Sequence, residues 1–329
     1  MAHHKLGHAA ESQVAMRQAM LAYDRWTEQM LDADGNWVIN HGASEKQPID
    51  PLDWLEFLIH LREARACLGM EALDETRLVL RRARAFAALR RASEAHAEFS
   101  RLAQLAPDNP LIQLESQRNL AYYHATSERY EAGADAYARA VQLAPEDAEL
   151  WRFLAAANLA AGRDAAYRET CREMVQRFGN STDPNVASSV IEVCVCCATT
   201  VDNWHQLLPI AKVGARHIHD SPRFLAATQF RAGQYKDALE TFRGVERLNS
   251  LRAFDFFFLA MTHDRLGQRK DAMLRLEQAH AWIEEADASA AMSDVKAFAR
   301  ADWGAWTERP LTFALQREVE QLLRNVDSQ

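Results

Sequence analysis

Leu120-Ala121-Tyr122-Tyr123-His124-Ala125, running on to Pro145, is followed closely by Trp151-Arg152-Phe153-Leu154-Ala155, running on to Gly179, and the two stretches keep one ruler. From Ala121 the marks are Gly133, Tyr137, Ala140 and Pro145; from Ala155 they are Tyr167, Cys171, Met174 and Gly179, at the same intervals. Two helices that cross closely need small residues where their backbones meet and large ones to fill the space beside the crossing. A fixed alternation of small and large positions, repeated along the chain, predicts stacked helical hairpins.

The ruler extends in both directions. Ala83, Ala95, Phe99, Leu102 and Pro107 precede it; Leu225-Ala226 with Ala238, Phe242 and Val245, then Leu259-Ala260 with Ala272, Leu276 and Ala279, follow it. Ala155 to Ala226 leaves room for close to two periods of ~34 residues, so a divergent hairpin fills 184–218. Pro209 falls past the first turn of its second helix and should kink or shorten it, because the ring clashes with the preceding turn. Helix starts are announced at Asp50-Pro51, Asn109-Pro110, Asp183-Pro184 and Ser221-Pro222, where the polar side chain caps free N–H groups and proline tolerates the first turn. The helix from Asp50 to about Leu68 should turn Leu55, Leu58, Ile59 and Leu61 inward, and an earlier one over about 8–31 should present Val14, Met16, Met20, Tyr23 and Trp26.

A chain of 329 residues exceeds the size of one ordinary core, and the repeat resolves that excess as an elongated array. Apolar residues make up 48% with only 12 Gly and 9 Pro, a mixture that favours helix and leaves little strand. The net charge of −8 argues against general binding to nucleic acid. Five cysteines, an odd number in apolar helical contexts, fit a reducing compartment, and a cytoplasmic location is expected. No apolar run approaches the ~18 residues of a membrane span, so no membrane partner is expected.

The pattern W-x2-L-[GA], then a small residue, an aromatic, a small residue and proline, resembles the tetratricopeptide repeat (TPR) over about 75–180 and 219–286. The resemblance implies an all-α, TPR-like right-handed superhelical solenoid of about six helical hairpins. More narrowly, Trp151-Arg-Phe-Leu-Ala-Ala-Ala-Asn-Leu-Ala-Ala-Gly, Phe257-Phe-Leu-Ala-Met-Thr-His-Asp-Arg-Leu-Gly and the Trp-rich tail resemble TPR arrays appended to large bacterial serine/threonine kinase and WD40-repeat proteins. Met1-Ala-His-His-Lys-Leu-Gly-His also lines up with Met261-Thr-His-Asp-Arg-Leu-Gly-Gln, and Arg62-Glu63-Ala64 with Arg317-Glu318-Val319. The expected organisation is a closing unit of a preceding array at 1–70, repeats at 71–183, the divergent hairpin at 184–218, repeats at 219–286 and a capping helix region at 287–329. On that reading the chain is a fragment or truncated product, and the apolar face at 8–31 is open to self-association.

Several motifs have plain structural readings. Cys194-Val195-Cys196-Cys197 lacks the second pair that a structural zinc site requires, and reads as core. His3, His4 and His8 lack a third nearby ligand beyond the turn-spaced pair, and His263 at the place matching His3 suggests a packing role. Asp32-Ala33-Asp34-Gly35-Asn36-Trp37 imitates a calcium loop, but Trp37 stands where its glycine belongs and Ala43 where its bidentate glutamate belongs. No phosphate loop, nucleophile elbow or kinase catalytic loop is present. Neither a metal, a cofactor nor a catalytic residue is therefore assigned.

The arginines carry the functional expectation. Arg77, Arg81, Arg82, Arg84, Arg90 and Arg91 stand with no acid between Arg77 and Arg91. Arg118, Arg152 and Arg223 recur at equivalent places of first helices, with Tyr122 one turn beyond Arg118. First helices line the concave groove of a TPR superhelix, so the resemblance implies a groove in which Arg77, Arg84, Arg118, Arg152 and Arg223 offer fork-shaped donors and Tyr122 an apolar stop. The competing reading is surface arginines paired with neighbouring glutamates. The asparagine with which some TPR proteins clamp a chaperone's C-terminal carboxylate is replaced by Arg84, Tyr122 and Ala156, which disfavours chaperone tails. The expected function is a non-catalytic scaffold for an acidic protein or peptide segment; the alternative is a regulatory or assembly segment of a larger enzyme such as a bacterial serine/threonine kinase.

Overall fold

The structure, a computed structural model, describes residues 7–8, 10–19, 51–69, 75–88, 91–216, 222–247, 251–292 and 306–326, and their regular structure is helical throughout. His3, His4, Tyr23, Trp26, the calcium-like stretch and the joint at 217–221 lie outside the described residues. The chain divides into two compact units, Met1–Leu120 and Ala121–Gln329.

In the first unit α1 covers residues 10–19, α2 Pro51–Cys67, α3 Glu75–Ala88 and α4 Ala92–Leu105; α5, Pro110–Thr126, begins at its end. Each of α2, α3 and α4 packs on its neighbour. The core is the hairpin of α3 and α4: Ala83 and Ala95 are fully buried at the crossing, with Val79, Phe99, Leu102 and Ile112 around them. Asn109 caps α5 as its sequence announces, its Oδ1 accepting from the N–H groups of Leu111 at 3.1 Å and Ile112 at 3.2 Å. One inward assignment needs correcting: Ile59 of α2 is exposed while Leu61 is buried. On α1 Val14 is 54% exposed, while Met16 and Ser12 are buried.

In the second unit the helices are α6 Tyr130–Leu143, α7 Ala148–Ala160, α8 Asp164–Phe178, α9 Pro184–Cys194, α10 Leu208–Gly214, α11 Arg223–Arg231, α12 Tyr235–Arg247, α13 Ala253–Arg265, α14 Arg269–Met292 and α15 Glu308–Val326. From α6 to α14 each helix packs on the next. The first helices of successive hairpins, α7, α9, α11 and α13, also touch one another and form a row. Ala121, Ala155, Ala226 and Ala260 are fully buried on first helices, and Ala238 and Ala272 on second ones, as the ruler requires. At Gly133 a Cβ would come within 3.3 Å of Ala125 N and 3.4 Å of Ala121 O, so backbone meets backbone there and only glycine fits without movement. Large residues fill the flanks: Tyr137, Tyr167, Met174, Phe242, Phe257 and Phe258 are all nearly inaccessible.

The divergent hairpin keeps the crossing and loses length. Asp183 caps α9 through Asn185 N at 2.8 Å, and Gly214 at the end of α10 lies against Ser188, where a Cβ would meet Ser188 N at 3.1 Å. Its second limb is broken into a 3-10 turn, Trp204–Leu207, and the seven-residue α10 with Pro209 in its first turn. Proline has no N–H to bond backwards, so the helix restarts at that point. Cys171, Cys194 and Cys196 are free thiols buried in this region, and burial pushes the Cys171 and Cys196 thiols up, away from thiolate chemistry. They serve as small core residues. His263 is likewise buried, its Nδ1 2.7 Å from Gln268 Oε1.

Candidate protein-interaction face

The turn between the two helices of a hairpin is set by a left-handed residue: Gly162, Gly233 and Gly267 have φ of 70°, 76° and 73°. At the matching turn after α5 the left-handed residue is Glu128, with φ of 58°, the one non-glycine residue with positive φ among those described. The glycine turns fold each second helix back against its first.

Side chains on the row meet carboxylates. Arg152 of α7 donates from Nη1 to both oxygens of Glu192 on α9, at 3.0 and 3.2 Å, and its guanidinium lies 4.5 Å from the Phe153 ring centroid. Arg223, at the start of α11, stands 3.6 Å from Asp255 Oδ1 of α13. Asp255 is fully buried and accepts from Arg252 N at 2.8 Å, capping α13. Burial raises its pKa to about 6, with Arg223 and Arg252 opposing.

The C-terminal helix α15 does not continue the hairpin series. It packs against the first helices α13 and α7. Leu311, Leu315, Val319 and Leu323, four residues apart, are buried along one side of it, the stripe of a helix laid on an apolar surface. Charge fixes its register. Glu318 forms a two-pronged pair with Arg231 of α11, whose Nη2 donates to Oε2 at 2.7 Å. Arg231 also donates from Nε to Val195 O at 2.9 Å and lies over the Phe258 ring at 5.3 Å. At the other end Arg252 Nη1 donates to Glu308 Oε1 at 2.6 Å. Burial raises the pKa of Glu308 to about 7 against the pull of Arg252, and nearby Glu192 adds to the rise. Just before α15, Trp306 stacks on Tyr137 at 6.0 Å and on Tyr130 at 6.4 Å, with Phe153 tilted beside it at 5.9 Å.

Of the arginines read from the sequence, the structure brings Arg152 and Arg223 to one charged cluster, since Glu192, the partner of Arg152, and Arg223 both act on Glu308. Arg84, in the first unit, donates from Nε to Glu115 Oε2 at 3.0 Å. Arg118 is exposed and Tyr122 half-buried on α5; the side chain of Arg77 lies outside the described residues. Sequence reasoning missed Arg231, Arg252, Trp306, Glu308 and Glu318. A signal was present in the four-residue spacing from Leu311 to Leu323, which exceeds what a plain end cap needs.

No protein-family model and no curated protein matches the sequence. Among solved structures the chain is similar to a tetratricopeptide repeat protein from Parabacteroides merdae, with TM-score 0.43 and 10% identity over 80% of this chain and 95% of that one. It is also similar to yeast Tom70, with TM-score 0.36 and 13% identity over 96% of this chain and 61% of that one. No helix among the described residues is long and apolar enough to cross a membrane. On its own geometry, paired short helices with small residues at each crossing and first helices in a row, the protein has a tetratricopeptide-type fold of helical hairpins.

Proposed function

We propose that the protein is a non-catalytic interaction scaffold whose first-helix row takes an acidic segment of a protein or peptide. One observation carries the reading: the chain's own α15 lies on that row with an apolar stripe against it and Glu318 held by the two prongs of Arg231. A surface that seats one amphipathic helix by such contacts has the chemistry to seat another. The row's arginines, Arg152 and Arg223 with Arg231 and Arg252 beside them, are the donors for carboxylates, planar forks suited to two-pronged bonds. Within the first unit, taken by itself, Arg77, Arg84 and Arg118 are proposed as donors of the same kind, and Tyr122 on α5 as an apolar stop. Their present partners, Glu192, Asp255 and Glu115, are the intramolecular carboxylates that an acidic ligand competes with.

The test is affinity capture from cell extract with the full chain and with Arg118→Glu/Arg152→Glu. Capture that weakens as salt rises and disappears in the double variant, with helicity intact by circular dichroism, is the expected result. A partner set that survives both changes rejects the reading.

A further inference from the structure

The C-terminal helix has the properties of a ligand more than those of a repeat. Every first helix from α7 to α13 already packs on a second helix, and α14 completes the last pair. α15 instead reaches back to α7, joining through side chains two helices that lie in different hairpins. The residues that hold it are the types that anchor separate proteins to one another: a tryptophan in an aromatic slot and an arginine, Arg231, deep beneath a glutamate.

The leading edge of the helix is imperfectly satisfied. Trp306 Nε1, Thr307 Oγ1 and Arg309 Nε are buried without a hydrogen-bond partner. Each such atom has left water without gaining a bond, which costs free energy on docking and is recovered on release. Beside that same end a cleft of about 490 Å³ opens, with Glu128, Tyr130, Leu159 and Gly162 on the array and Arg309 and Phe313 on α15 along its walls. Its floor gives an incoming chain a foothold next to the least satisfied contacts. Glu128, the strained left-handed residue, stands there 3.7 Å from Arg309.

We infer that the seat of α15 is an exchangeable docking site: a partner protein presents an amphipathic helix with an aromatic anchor, apolar residues at four-residue spacing and a carboxylate for Arg231, and displaces residues 306–326. This rests on the scaffold reading and specifies the partner's chemistry. Charge complementarity selects it, because the row offers Arg231 and Arg252 to the occupant's acids. The tethered helix competes at the high effective concentration of an attached segment, so the site is closed to weak ligands and open to one that meets its polar edge better.

The probe is a fluorescein-labelled peptide of sequence 306–326, read by fluorescence anisotropy on the full chain. In Trp306→Ala/Leu315→Asp, altered only in the departing segment, the seat is vacated; the peptide should bind about tenfold or more tightly than to the unaltered chain, where it competes with the tethered copy. Adding Arg231→Glu should reduce that binding by about tenfold or more. If the double variant loses helicity, Glu318→Arg vacates the seat by charge alone and takes its place in the assay. A helical variant that takes no peptide, or takes it regardless of Arg231, overturns the inference. Copies that exchange the helix with one another, seen as dimers by ultracentrifugation, while refusing the peptide overturn it too, in favour of a second copy. Capture from extract through Arg118 and Arg152 can succeed while the peptide fails, so the failure of this inference is distinct from that of the scaffold reading.

Discussion

Two arginine–carboxylate pairs on the same row of helices do different work. Arg152–Glu192 joins neighbouring first helices, and both side chains are shielded to a similar degree, 17% and 13% exposed. Arg231–Glu318 joins a first helix to the C-terminal helix, and it is lopsided: the arginine side chain is 3% exposed and the glutamate 31%. The first is a staple between parts of one array. The second has a deep receptor half and a shallow ligand half, with the receptor's guanidinium already steadied by Val195 O and the Phe258 ring. A charge that is held before its partner arrives loses little freedom when the partner binds. The difference teaches that the row's arginines stand in two situations, Arg152 answering a carboxylate of the array itself and Arg231 one of the helix laid on it.

The largest effect expected from this difference is at Leu315, fully buried under the docked helix. Leu315→Asp places an unpaired charge in an apolar seat and should cost about 3–5 kcal/mol in urea denaturation. Because the Arg152–Glu192 staple is untouched, the far-ultraviolet spectrum should keep most of its helix. Collapse of the whole signal would mean that α15 is part of the array's core.

A smaller effect separates the pairs directly. Arg231→Ala should cost about 2–4 kcal/mol, since Glu318, Val195 O and the ring contacts are lost together, against about 1 kcal/mol for Arg152→Ala. Equal losses in chemical denaturation would erase the distinction between the two pairs.

The smallest is a pH dependence. Glu308 is surrounded by Arg252, Arg223 and Glu192, and Asp255 by Arg223 and Arg252; burial raises their pKa values to about 7 and about 6 from the ordinary 4.5 and 3.8. The folded state therefore holds these protons more tightly than the unfolded chain, so the stability they contribute is full below pH 4 and lost as pH rises through about 6 and about 7. The denaturation midpoint should fall between pH 5 and 8, and Glu308→Gln should flatten the upper part of that fall. A slope unchanged by Glu308→Gln would remove this carboxyl from the docking edge.

The hairpins were legible in the sequence because a close crossing admits few residue types: Ala121, Gly133, Ala155 and Ala226 mark it wherever it occurs. Caps at Asn109 and Asp183 were legible for the same local reason. Ile59 was misplaced because helical spacing marks a stripe without fixing its edges. Of the residues proposed for the candidate site, the sequence offered Arg152 and Arg223 on first helices and did not offer Arg231 or Glu318. Arg231 and Glu318 are 87 residues apart, and nothing in the spacing around either names the other. Long-range docking is decided by the array's surface, which exists only after the hairpins have stacked.

The reach of α15 from α13 back to α7 changes how the row comes apart. A solenoid with contacts only between neighbours unzips from an end, each hairpin melting at a free energy close to its own. A helix clasped across the row ties distant hairpins into one event, so that α7 and α13 unfold together while it is seated and separately once it has gone. Occupancy of the seat thereby sets the cooperativity of the whole unit, and hydrogen exchange of amides in α9 and α11 reports on a helix that belongs to neither.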